Sequence, residues 1–246
     1  MTDTSRVPPL HAAADPSGLL DRLDPDLLHP ARLAGPHAWH VWDLTRHPPT
    51  GRDLRLVITP GRDTQRHLRR ITASLTDQLT GPTWPPTGHL DVTAHPGRID
   101  CRHHGQAAAT ITIDMATWDR GGLAERGSGH YTRTGWPVLD QHAALADRIH
   151  AIDPSRSDRE DLADLAHWVH TTLDTSTARR PTVELQHLIV DLRRRAPRTI
   201  DRLATILDRA TTVRAEPALT ALTDTLDRAR QATPANDARR SVTRTR

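Results

Sequence analysis

From residue 137 onward one pattern recurs five times, and it leaves the chain little choice of architecture. "VLDQHAALADRIHAI", "DREDLADLAHWVHTTL", "PTVELQHLIVDLRRR", "RTIDRLATILDRA" and "PALTALTDTLDRARQ" each place Leu, Ile, Val or Ala at spacings of three and four, the period of one helix face. "SDRE" (Ser157 to Glu160) reads as a capping box, and Pro181 and Pro217 suit the first turn of a helix. Amphipathic helices joined by short connections bury their apolar stripes only against one another. The pattern therefore predicts a helical domain over 137–231, an antiparallel bundle or short helical array.

The first half carries a different period. "HAWHVWDL" and "DLRLVIT" alternate apolar and polar residues and predict two strands joined by the turn-rich "TRHPPTGR". "DTQRHLRRITASLTDQL" sets Leu68, Ile71, Leu75 and Leu79 on one helix face, with Asp63 or Thr64 as N-cap and Gly81 as stop. Three short alternating runs, "HLDVTAH", "RIDCRHH" and "ATITIDM", follow with "PG" and "HG" between them, the punctuation of a meander. The order β-β-α-β-β-β predicts an α+β domain over 36–115, a small antiparallel sheet with a packed helix. Residues 1–35 read as an arm that lays Leu19, Leu20, Leu23, Leu27 and Leu28 on this body; 116–136 is a Gly/Arg/Trp-rich loop, and the basic segment 232–246 lacks apolar periodicity and is expected to be disordered.

Composition removes whole classes of chemistry. All 33 basic side chains are arginine, and phenylalanine is absent, a bias typical of GC-rich coding sequence that makes arginine density a poor guide to function. Without lysine there is no Walker A loop, no kinase-type strand lysine and no Schiff base. "GLAERGS" (Gly122 to Ser128) has P-loop glycine spacing but serine where the lysine must stand. The net charge of +3 is mild despite the pI of 10.2, because almost nothing titrates between neutrality and the arginine range. Cys101, the single cysteine, permits no intrachain disulfide and reads as a small buried residue. No basic-then-apolar leader opens the chain, and no apolar run approaches the roughly 18 residues of a membrane span, so a cytoplasmic protein without membrane contact is expected.

Sixteen histidines invite a metal reading at "HAWH", "CRHH" and "HWVH", yet none matches a ligand signature, and neither a metal nor a cofactor is expected. "HYTR" and "HTTL" fit the H-x-T repeat of two-histidine phosphoesterases, but His170 lies inside a helical period. "DPD" (Asp24 to Asp26) reads as helix capping rather than a cation site.

Two constellations are candidates for binding. In the loop, glycines permit close backbone approach, while Arg120, Arg126, His130, Tyr131 and Arg133 can meet phosphate or stack on bases, bracketed by Trp118 and Trp136. The competing reading is an interdomain linker anchored at its two tryptophans. In the helical half, Arg193, Arg194, Arg195, Arg198 and Arg202 cluster around one helix joint, with Arg239 and Arg240 in the tail and Arg66, Arg69 and Arg70 on the α+β helix. Residues 137–174 hold three Arg against eight acids and 179–214 nine against four, so the helix pairs are oppositely charged. The expected function is a non-enzymatic accessory or regulatory protein that contacts DNA or RNA through these arginines. The alternative is an interaction module docking a protein partner or a second copy; the third is a phosphoryl-transfer or hydrolytic enzyme built on His130 and the 120–136 loop.

Overall fold

The computed structural model describes residues 23–49, 52–81, 90–103, 105–119, 122–124, 136–153, 159–173, 181–209 and 216–231. The chain divides into two compact units, residues 1–148 and 149–246. The class is α+β with a helical C-terminal region, as the change of period implies.

In the first unit the strands are β1 (Arg32–Ala34), β2 (Leu54–Ile58), β3 (Leu90–His95), β4 (Arg98–His103) and β5 (Gln106–Met115), in spatial order β1-β2-β5-β4-β3. The meander β3-β4-β5 is antiparallel, but β5 meets β2 in parallel, so the sheet is mixed where a wholly antiparallel one is expected. Chain direction explains this. Helix α2 (Thr64–Thr80) reverses the path after β2, and the two hairpin turns that follow return β5 along β2. Because these two strands lie some fifty residues apart, no local pattern records their pairing. The β3–β4 turn at His95-Pro96-Gly97-Arg98 needs glycine: Gly97 has φ +78°, and a Cβ there would stand 3.0 Å from the Ile113 carbonyl oxygen. Leu68, Ile71, Leu75 and Leu79 of α2 are all buried, and α2 packs across β3, β4 and β5. Full burial of each contributes about 1.5–3 kcal/mol.

One element is corrected. "HAWHVWDL" does not form a strand; Gly35–Val41 is helix α1. Gly35, in the left-handed region at φ +65°, and Pro36 start it, and His37, Ala38 and Val41 are its buried positions. It closes in a Schellman arrangement: the Leu44 amide donates to the Trp39 carbonyl at 2.7 Å and the Asp43 amide to His40 at 3.2 Å, with Asp43 at φ 58° where glycine is usual. Trp, Val and His at alternating positions look strand-like locally, but seven residues cannot separate period 2 from 3.6.

The segment expected to be an arm also holds more structure than its leucine pattern implies. Leu23 and Leu28 are buried whereas Leu27 is exposed, the Asp24 amide donates to Gln78 Oε1 of α2 at 2.6 Å, and β1 forms a sheet edge. As expected, Asp24 is a cap, accepting from the Asp26 amide.

In the second unit α4 (Arg159–Leu173), α5 (Pro181–Arg195), α6 (Pro197–Arg209) and α7 (Pro217–Gln231) pack together, with α5 touching the other three. Helix α3 (Gln141–Ala151) ends at the start of this unit. Leu165, Trp168, Val169, Leu188, Ile189, Leu192, Leu203, Ile206, Leu222 and Leu226 fill the core. Among the described residues no helix is long and apolar enough to cross a membrane.

Candidate anion-binding cleft

The face of the first unit's sheet opposite α2 is polar by strand alternation. On β5, Ala109, Ile111 and Ile113 are buried, which turns Thr110, Thr112 and Asp114 to the opposite face. Register then sets three strands in a row: Arg55 of β2 stands opposite Thr112 of β5, and Thr112 stands opposite Arg98 of β4. With strands about 4.8 Å apart, the two arginine backbones lie roughly 10 Å from each other across the Thr112 hydroxyl.

Arg55 is held by two carboxylates. Its Nε donates to Asp114 Oδ2 and its Nη1 to Asp147 Oδ1, each at 2.8 Å. Asp147 is 1% exposed, and its other oxygen accepts from the Gly35 amide and from Trp39 Nε1, both at 3.0 Å. A carboxylate at this depth is tolerated only when paired and hydrogen-bonded. Burial works against the Arg55 charge, but Asp147 and Asp114 outweigh it and raise the guanidinium pKa above its ordinary value. The result is a fixed cation whose Nη2 has no hydrogen-bond partner among the described residues.

Around this row lies an open cleft of about 570 Å³, lined by Arg55, Arg98, Thr110, Thr112 and Asp53 on the sheet side and by Pro36, His37, Trp39, the 45–49 segment and Arg148. The Arg148 guanidinium carbon sits 4.8 Å from the centroid of the Trp39 ring, a cation–π contact that fixes a third cation beside the cleft. Arg98 is half-exposed and paired to Asp100; their mutual hydrogen bond is the main cause that raises the Arg98 pKa and lowers that of Asp100. Three guanidinium groups at one concavity can accept an oxyanion by charge-assisted hydrogen bonds. Among the described residues no three His, Cys, Asp or Glu side chains gather as a metal-holding group.

The residues singled out from the sequence are placed differently. Arg193 donates to the Ala229 carbonyl at the end of α7, and Arg202 donates to the carbonyls of Ile149 and Ile152 at the end of α3. Both satisfy carbonyls that a helix C-terminus leaves without intrahelical partners. Arg195 pairs with Asp191 one turn before it at 2.8 Å. Arg194 and Arg198 are exposed. Of the five arginines clustered around this helix joint, two are exposed and three make contacts within the unit. Arg239 and Arg240, and Arg120, Arg126, His130, Tyr131 and Arg133 of the loop, lie outside the described residues. Trp118 and Trp136 are buried, at 4% and 0% exposure. Both belong to the first unit, where Asp119 caps the Leu123 and Ala124 amides and Pro137 to Leu139 pair with Leu33 of β1.

Cys101 is buried, and burial pushes its thiol up to about 11, so at neutral pH it stays protonated. The cleft residues Arg55, Arg98, Arg148, Asp147 and Trp39 carry no motif. The one local signal is "AALADRIH": an Asp-Arg pair inside an otherwise apolar helical run, where Ala143 to Ile149 are all buried. Comparison with protein-family models, curated proteins and solved structures finds no match to this chain.

Proposed function

We propose that the protein is a binding protein for a small phosphate-bearing ligand, taken up in the arginine cleft of the first unit. The observation that carries this reading is Arg55, a guanidinium fixed by buried Asp147 and set in register with Arg98 on either side of Thr112. An arginine already ordered loses less conformational freedom when it closes on an oxyanion. Two guanidinium groups from strands on either side of β5 offer charge-assisted donors to an oxyanion, while the Thr112 hydroxyl between them donates to the Leu54 carbonyl at 3.4 Å and leaves its oxygen as an acceptor for a protonated phosphate oxygen.

Calorimetric titration with phenyl phosphate tests it. Arg98→Ala is the informative variant, because Arg98 is exposed and, among the described residues, its ion pair is with part-exposed Asp100 on the same strand. Loss of a charge-assisted contact is expected to weaken binding by about 10- to 100-fold. Equal affinity in wild type and Arg98→Ala would remove the cleft as the site.

A polynucleotide contact in the second unit is a separate reading, favoured by the exposure of Arg194 and Arg198. DNA or RNA retention that falls steeply with salt and is lost in the Arg194→Ala/Arg198→Ala double variant would support it; retention unchanged in that variant would end it.

A further inference from the structure

The floor of the cleft has a second row of polar groups. Two residues back along β5 from Thr112, Thr110 faces the same side, about 7 Å away by strand geometry. Its amide donates to Asp53 Oδ1 at 3.0 Å, and its hydroxyl donates to Asp100 Oδ1 at 3.2 Å. Asp100 has its oxygens engaged by Arg98 as well. Asp53 is exposed and lines the cleft, and its second oxygen accepts no hydrogen bond among the described residues. One free carboxylate oxygen therefore stands one strand step from the seat between Arg55 and Arg98.

Such a carboxylate repels a bare phosphate or a run of phosphates. It becomes favourable only where the ligand offers hydrogen-bond donors at that distance. An ammonium group is the poorer donor here, because Arg55, Arg98 and Arg148 line the same cleft and give it positive charge. Hydroxyl groups carry no such penalty. Trp39, Pro36, Pro48 and Pro49 line the rest of the cleft with ring and pyrrolidine surfaces suited to a planar or sugar-like body.

Resting on the phosphate reading above, we infer that the ligand is a phosphomonoester of a hydroxylated carbon skeleton, the chemistry shared by sugar phosphates and nucleoside monophosphates. Its phosphate lies between Arg55 and Arg98, and Asp53 accepts from its hydroxyls. Asp53 is thus the residue that discriminates among phosphates.

The test measures dissociation constants for inorganic phosphate, ribose 5-phosphate, AMP and 2′,3′-dideoxy-AMP with wild type and Asp53→Asn. The amide keeps an oxygen for the Thr110 N–H but replaces the free acceptor with a donor, and Asp53→Ala is the second variant should Asp53→Asn fold poorly. In wild type AMP is expected to bind about tenfold more tightly than its dideoxy analogue, a hydrogen bond to a charged group being lost. In Asp53→Asn that ratio is expected to fall to about one, while inorganic phosphate binds as well or better because a repelling charge is gone. Ribose 5-phosphate binding like AMP assigns the site to sugar phosphates; AMP the tighter of the two assigns it to nucleotides, and both results support the inference. Equal binding of AMP and dideoxy-AMP by wild type, or a ratio that survives in Asp53→Asn, overturns it while leaving the phosphate cleft standing. Failure of every phosphate to bind overturns both.

Discussion

The arginines of the two units do opposite things with the same functional group. In the first unit Arg55 is gripped by Asp114 and Asp147 and Arg148 lies over Trp39, yet both still line a concave surface. In the second unit Arg193 and Arg202 turn inward to helix ends and donate to backbone carbonyls. A guanidinium held from one side by a carboxylate keeps donors for a ligand, whereas one that caps a helix uses them within the fold. Arginine density is higher around 193–202 than around Arg55, but the sparser set is the one grouped at a cleft.

The strongest break in this comparison is Asp147→Ala. It leaves Arg55 partly buried with one carboxylate fewer and takes the acceptor from the Gly35 amide and from Trp39 Nε1. A cost of about 3–5 kcal/mol to the first unit is expected, as for a broken buried pair, read as a fall in its denaturant midpoint. Arg202→Ala, its counterpart in the second unit, removes two capping donations and is expected to cost about 1–2 kcal/mol by the same measurement. Phenyl phosphate affinity should be unchanged in that variant. A cost for Arg202→Ala equal to that for Asp147→Ala would mean that the two sets of arginines are alike after all.

The second unit also carries a pH-dependent group. His150 is half-buried against Thr199, its Nε2 3.2 Å from the hydroxyl oxygen, and partial burial, then Arg202 and Arg198, lower its pKa from 6.5 to about 4. The folded state thus binds fewer protons than the unfolded state between those values. Stability from this group is full above pH 6.5 and declines as pH falls toward 4. Thermal melts of His150→Gln across that window are expected to be flatter than wild type; an identical slope would remove His150 as the cause. The smallest effect belongs to Arg198→Ala. Exposed and outside any helix cap, it is expected to change stability at pH 7.5 by less than about 0.5 kcal/mol. It should still raise the His150 pKa, visible by NMR titration, because one of the two nearby cations is gone.

These contrasts also mark how much was legible in the sequence. The helical periods that predict α2 and α4 to α7 are local, and so is the proline-glycine turn between β3 and β4. Trp136 at 0% exposure, by contrast, sits beside a glycine-rich stretch that reads as a binding loop, since burial depends on neighbours remote in sequence. Spacing places Arg193 and Arg202 on helices without revealing the helix-end carbonyls each one reaches. Asp53, Arg98 and Trp39 belong to three separate segments and show no joint spacing at all.

The sequence by itself determined the helices α2 to α7, the strands β2 to β5, the α+β class and the chemistry lost with lysine, because periodicity, capping and composition act within a few residues. Tertiary structure alone decided the parallel join of β2 to β5, the helical state of Gly35–Val41 and the pairing of Arg55 with Asp147 across 92 positions. Each of these depends on which surfaces meet once the chain is closed, and on the low-dielectric interior in which a lone carboxylate such as Asp147 requires its cation.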